Sequence, residues 1–385
     1  MASLAAISNV QDLRSAARRR LPRAVFDFID GAAGDEWTAR RNVAAFGDWG
    51  FLPRVGRDVS RTDLATTLLG RPAAMPLALA PIGFAGIAWP QGEILAARSA
   101  ARAGLPFCLS TNSVAGLEDV ARAAPDATLW FQLYFLKDRD WMRGLVRRAR
   151  DAGYAALCLT LDLPVAGRRE RDLRNGFTVP VRPTLANAAD LALHLPWLLR
   201  SLRHPVGFGN FRGNPHAAGF ASIARHVASL FDATAGWQDV EDIRALWDGP
   251  LVLKGILHPD DAERAVALGA DAISVSNHGG RQLDGVPAAL DALGEIAGRV
   301  GGRTELLLDG GVRRGTDVLK ARALGATAVL LGRAYVWGLA AAGEAGVDKV
   351  AALFRDEMET ALMLLGETAV GELGPDHVMP LRRAA

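Results

Sequence analysis

His278 and Arg281 stand three residues apart, with Gly279 and Gly280 between them. An imidazole takes up a proton near neutral pH, and a guanidinium grips a carboxylate through two parallel hydrogen bonds. The two glycines let the backbone bend sharply and let a flat ligand come close. The pair could therefore serve as base and anion clamp, although a lone loop histidine can equally be structural. Asp162, two residues before Pro164 and followed by Arg168 and Arg169, could orient and charge-stabilise such a histidine; it could also be a plain turn former. Gln132 and Tyr134 put an amide and a phenol on one face of an apolar run. Lys254 sits in LVLKGI, where an ammonium is costly unless it meets an anion. The stretches Asp309-Gly310-Gly311-Val312-Arg313 and Gly332-Arg333 combine glycines with arginines, the chemistry of a phosphate cradle.

All of these residues fall at the ends of short apolar runs. The runs are Met75–Ile82, Leu105–Ser110, Leu129–Phe135, Ala155–Asp162, Leu251–Ile256, Ala272–Ser276, Glu305–Asp309 and Ala328–Gly332. None alternates strictly, as expected of parallel strands covered on both faces. Helical stretches with start and stop signals separate them: Pro259-Asp260-Asp261 opens one that closes at Gly269, and Gly315-Thr316-Asp317 opens another. The spacing predicts a single α/β domain over 1–385, a (β/α)8 TIM barrel, rather than two smaller α/β domains. In such a barrel chemistry belongs at the C-terminal strand ends, with phosphate after strands seven and eight. That is where the candidate residues lie.

Two segments interrupt the rhythm. Residues 1–74 read as an N-terminal extension of short helices (Val10–Arg20, Pro22–Asp30, Asp35–Phe46) and an extended pair. Residues 163–237 read as a long insertion after strand four, and long insertions are usually functional. Within it Ala192–Leu202 carries Leu193, Leu195, Trp197, Leu198, Leu199 and Leu202 beside Arg200 and Arg203. Such a helix either packs on the barrel or lies at a membrane surface, with Trp and Leu in lipid and Arg at the head groups.

Composition narrows the classes further. The 385 residues are 50% hydrophobic, and 44 Lys plus Arg against 42 Asp plus Glu give a formal charge of +2. That balance speaks against a nucleic-acid binder and against a disordered chain. Cys108 and Cys158 both sit in apolar runs, as in a reducing compartment. No metal site is expected. The first residues lack the charged-then-apolar order of a signal peptide, and no run is long enough to span a bilayer. A cytoplasmic location is expected, with peripheral contact at the inner face of the membrane through 163–237.

The stretch SNHGGRQLDG, with LTLDLPVAGRRERDLRNGF, WFQLYFLKDRD, LVLKGIL, LLLDGGVRRGTDV and ALGATAVLLGRA, resembles the FMN-dependent 2-hydroxy acid oxidising family. The likeness runs from about Val10 to near Leu365. WPQGE and RRERDLRNGF look most like its lactate and mandelate dehydrogenase branch. The resemblance implies an FMN enzyme that oxidises an L-2-hydroxy acid to a 2-oxo acid. It implies that His278 is the base, that Asp162 stabilises its protonated form, that Arg281 and Arg169 hold the substrate carboxylate, and that Tyr134 hydrogen-bonds the substrate oxygen. Lys254 would face the pyrimidine edge of the flavin. Gly311, Arg313, Gly332 and Arg333 would bind the FMN phosphate. Ala80, Ser110, Gln132, Thr160 and Ser276 would touch the isoalloxazine ring, with Asp309 near the ribityl chain. A homotetramer is implied as well.

Two positions refine this. Where the family usually carries a Tyr near its start, this chain has Phe28, so the ring stays and a hydroxyl is lost. After the first strand Pro81-Ile82-Gly83 should lie beside the flavin, with Gly83 resembling dehydrogenases rather than oxidases, which points to a quinone or another acceptor in place of oxygen. Two other functions stay open. One is a flavin enzyme of this fold acting on a non-standard substrate in a biosynthetic pathway; the other is a flavin-binding protein without turnover.

Overall fold

The computed structural model describes residues 4–177, 184, 187–204, 206–214 and 230–381. Its strands are β1 (Leu77–Leu79), β2 (Phe107–Ser110), β3 (Leu129–Tyr134), β4 (Ala156–Thr160), β5 (Leu251–Ile256), β6 (Ala272–Val275), β7 (Glu305–Asp309) and β8 (Ala328–Leu331). They close into a ring in sequence order, each parallel to its neighbours. The (β/α)8 barrel read from the sequence is the fold. The first run shrinks from eight residues to three, because Pro76 and Pro81 at its flanks cannot donate to a ladder.

Successive side chains on a strand point to opposite faces, so every second residue fills the barrel. Deep inside, those residues are apolar: Ala78, Cys108, Trp130, Ala156, Cys158, Val252, Ala272 and Leu307 form one buried cluster. Two steps further along the same strands stand Ser110, Gln132, Thr160, Lys254, Ser274 and Asp309. The barrel is thus a dry plug at the bottom and a polar platform at the top.

The N-terminal segment closes over that platform. Helix α1 (Val10–Arg20) is capped by Asn9, whose side-chain oxygen accepts from Asp12 N at 3.0 Å. Helix α2 (Arg23–Asp30) ends at Gly31 with its carbonyls facing the mouth. Helix α3 (Trp37–Ala44) has no cap of its own. Instead Asp284, more than two hundred residues later, accepts from Thr38 N at 2.8 Å and from Trp37 N at 3.3 Å. An acidic side chain there complements the positive end of the helix.

The insertion holds helices Glu170–Arg174, Ala188–Leu193 and Leu195–Arg203. The stretch Ala192–Leu202 is not one helix: it breaks at His194, where Pro196 starts the next. Trp197 does not face outward. It is buried, and its indole N–H donates to Ile87 O at 2.9 Å, because a buried indole needs an acceptor. The expectation that Trp197 enters lipid is therefore corrected. Leu193, Leu195, Leu199 and Leu202 are exposed, Leu193 by 81%. Among the described residues no helix is long and apolar enough to cross a membrane.

Candidate active site

His278 lies in the loop after β6, with its backbone in the left-handed region (φ 57°). An L-residue adopts that conformation only when its surroundings impose it. Here Ser276 Oγ accepts from His278 N at 3.0 Å, and the Asn277 side chain pairs reciprocally with that of Asn42 on α3, both bonds at 2.8 Å. The ring then points Nδ1 at Asp162 Oδ1, 3.0 Å away. A neutral imidazole that donates Nδ1–H to a carboxylate has its lone pair on Nε2.

Asp162 lies two residues beyond β4 and needs room to reach the histidine. Gly255 supplies it. That glycine sits in a bulge of β5 (φ 100°), and a Cβ there would fall 2.6 Å from Asp162 Cγ. Burial alone would raise the Asp162 carboxyl, but His278 and Lys254 more than offset it and hold it below its ordinary range. Its Oδ2 is buried without a hydrogen-bond partner.

Lys254 finds its anion inside the protein. Its Nζ lies 2.6 Å from Asp309 Oδ2 and 2.7 Å from Ser276 Oγ, which donates to Asp309 Oδ1 at 2.7 Å. Burial opposes the lysine charge, yet Asp309 and Asp162 outweigh it and raise the ammonium above the usual lysine range. Lys254, Ser276 and Asp309 thus join β5, β6 and β7. The same serine holds the His278 backbone.

The cations cluster at the end of α2. Arg281 Nη1 donates to Phe28 O at 2.9 Å and Gly31 O at 2.7 Å; Arg333 donates to Gly31 O at 2.7 Å and Gly279 O at 2.9 Å. A helix C-terminus carries partial negative charge, but only a fraction of what these guanidiniums need. Burial, then Arg169 and Arg333, push Arg281 down to about 9; burial, then Arg333, push Arg313 down to about 9. Arg169 and Arg281 lie 5.8 Å and 5.4 Å from the centre of the Phe28 ring. Phe28 itself stacks on Phe177 at 4.5 Å. Tyr134 packs nearly parallel to His278, ring centres 6.4 Å apart. Burial, with Asp162 nearby, raises its phenol, so it remains a neutral O–H donor.

These groups share one cleft with an empty volume of about 1340 Å³, solvent at its mouth included. Phe28, Ala80, Pro81, Ile82, Gly83, Tyr134, Thr160, Arg169, Lys254, His278, Arg281, Asp309, Gly311, Arg313, Gly332 and Arg333 line it. Ser110, Gln132 and Ser276 do not. They lie beneath the floor, where Gln132 accepts from Ser110 Oγ at 3.2 Å and donates to Thr160 Oγ1 at 3.1 Å. Asp162 stands behind His278. Sequence reasoning missed Phe231, Leu163, Ala166 and Asn112, which also line the cleft. Phe231 comes from the far end of the insertion and packs on Tyr134 at 5.1 Å; nothing in its local sequence marks it.

Residues 17–380 match the model of the family described as FMN-dependent dehydrogenase. The chain belongs to that family. The L-lactate dehydrogenase of Xanthomonas campestris pv. campestris (strain 8004) is 45% identical over 384 residues, covering 98% of each chain. The structure of the monotopic membrane protein (S)-mandelate dehydrogenase superposes with a TM-score of 0.93 at 39% identity, covering 98% of this chain and 100% of the other. A mandelate oxidase with (S)-4-hydroxymandelic acid gives 0.85 at 41% identity, covering 97% and 98%. FMN offers a phosphate dianion at one end and a flat polar ring at the other. The residues of this FMN-dependent dehydrogenase fit that shape: arginines short of negative charge after β7 and β8, a buried Arg333 Nε with no partner of its own, and a platform of Thr160 and Lys254.

Proposed function

We propose that the enzyme oxidises an L-2-hydroxy acid to the 2-oxo acid. One observation carries the reading: His278, backed by Asp162, and the cations Arg281 and Arg169 face the same cleft. Arg281 and Arg169 fix the substrate carboxylate, Tyr134 donates to the substrate oxygen, and His278 Nε2 takes up one proton. Asp162 stabilises the imidazolium that results. FMN, when bound, would accept the electron pair and the second proton, so that the two protons and two electrons lost by the acid are all accounted for. Arg313, Arg333, Gly311 and Gly332 would hold its phosphate, and Lys254 its ring. The test is an anaerobic screen of glycolate, lactate, longer aliphatic 2-hydroxy acids and mandelates, read as bleaching of the yellow protein. Protein that stays yellow with every acid would favour a binding function instead.

Phe28 supports a preference within that class. It presents an apolar ring where a hydroxyl would have met the carboxylate, a bond of about 1.5–3 kcal/mol to a charged group. Glycolate has little else to bind with, whereas a branched or aromatic side chain recovers free energy by burying apolar area against Phe28, Leu163 and Phe231. A bulky acid should therefore exceed glycolate in kcat/KM, and Phe28→Tyr should narrow the gap. Glycolate as the best substrate by tenfold would show the pocket argument to be wrong.

Electrons then pass to quinone at the inner face of the cytoplasmic membrane. Gly83 beside the cleft supports this, and so do the exposed Leu193, Leu195, Leu199 and Leu202 on one projecting segment. Replacing those four leucines with Ser keeps the buried Trp197 anchor, so dye-linked activity should persist while the protein moves to the soluble fraction. Wild type found wholly soluble and producing peroxide rapidly would favour oxygen, the reading that the similar mandelate oxidase keeps open.

A further inference from the structure

Gln282 belongs to the stretch that carries the base, yet no step above uses it. Its amide is saturated by one neighbouring loop. Nε2 donates to Asp162 O and to Val165 O, both at 2.9 Å, and Oε1 accepts from Gly167 N at 3.1 Å. That loop carries Asp162 and leads on to Arg169. At Gly167 the two loops meet backbone to backbone: a Cβ there would lie 2.3 Å from Arg281 O and 2.8 Å from Gln282 Cα.

This grip matters because the Asp162 carboxylate is weakly held. Oδ1 meets His278, while Oδ2 has no partner. Besides the ring, the carboxylate is held by its own backbone N–H and the charge of Lys254, so its aim follows its backbone. It stays in place only if its own backbone is fixed, and Gln282 holds the Asp162 carbonyl. Gly34 N, donating to Arg168 O at 3.0 Å, and Ala33 N, donating to Gly280 O at 2.9 Å, tie both loops to the N-terminal segment. Those bonds tie each loop to the turn after α2, whereas Gln282 ties the two loops to each other.

We propose that Gln282 is a positioning residue that locks the Asp162–Arg169 loop to the His278–Arg281 loop, so that Asp162 bears on His278 during turnover. The proposal rests on His278 being the base. Gln282→Glu keeps size and shape but turns the donor toward two carbonyls into a third acceptor. Gln282→Met keeps length and removes all three bonds.

The experiment uses the FMN-loaded enzyme with the best acid from the screen, in anaerobic stopped flow. Misplacing a catalytic group by about 1 Å can cost about a hundredfold in rate, so Gln282→Glu should slow flavin reduction at saturating substrate by roughly 30-fold. The substrate constant should change less than the rate does, because Arg281 keeps its bonds to Phe28 O and Gly31 O even if Arg169 loosens with its loop. Coupled residues are not additive: in an Asp162→Asn background the same substitution should cost less than about threefold more. Amide exchange, independent of turnover, should show lost protection at Gly167. If Gln282→Glu does not accumulate as yellow protein, Gln282→Met enters the same cycle. Reduction at the wild-type rate in either variant, while His278→Gln is inactive, overturns the proposal and leaves the base assignment standing. So does a full 30-fold loss in the Asp162→Asn background. Normal reduction by His278→Gln would instead remove the base assignment itself.

Discussion

His278→Gln should leave the protein yellow and slow anaerobic flavin reduction by at least about three decades. A general base contributes roughly 10²–10⁴ in rate, and the upper part of that range is expected here. Glutamine can still hydrogen-bond Asp162, so the loop keeps its shape, but it cannot carry the substrate proton. Nothing nearby can stand in: burial and Asp162 keep the Tyr134 phenol in its neutral form, and Asp162 lies behind the imidazole. The measurement is the bleaching rate at saturating acid, with the visible spectrum confirming bound FMN. Bleaching within tenfold of wild type would overturn the assignment.

Lys254→Met should have two separable effects. Removing one partner of a buried pair leaves the other charge stranded, typically at about 3–5 kcal/mol; here that is Asp309, 2.6 Å from the ammonium. Losing a positive charge from the cleft should also lower the reduction potential of bound FMN. Adding Asp309→Asn tells the two apart, since Asn can still accept from Ser276. The double variant should regain much of the lost melting temperature, while its potential should recover only in part, since Asp309 also lines the cleft and its negative charge is lost as well. An unchanged potential in a spectroscopic titration would mean that Lys254 serves the fold alone.

The barrel was legible because its strands are short, apolar and buried on both faces, and because polar residues come only at their final inward positions. Gln132, Thr160, Lys254 and Asp309 each stand two residues beyond an apolar inward neighbour, so the chemistry marks the top of the barrel. What stayed hidden was pairing across strands. Lys254 calls for an anion, but only barrel closure brings Asp309 to it through Ser276. Gly255 looks like any strand glycine until Asp162 occupies the space its side chain would fill. Trp197 left two readings open, packed on the barrel or entering lipid, because nothing local reveals that Ile87 offers its indole an acceptor. Gln282, Asn277 and Asp284 were visible as parts of a motif, yet their partners lie on other loops and on α3.

The cap that Asp284 gives to α3, and the Asn277–Asn42 pair beside it, have a consequence for the order of assembly. These bonds join residues 235 to 247 positions apart. Contacts that close such long loops form late, because the chain's entropy opposes them until other structure has shortened the loop. During synthesis α3 leaves the ribosome long before the loop that will cap it exists. Until the two meet, the left-handed backbone of His278 has the local bond to Ser276 but lacks the Asn277–Asn42 pair. Flavin reduction by a newly made chain therefore reports that its first and last thirds have joined.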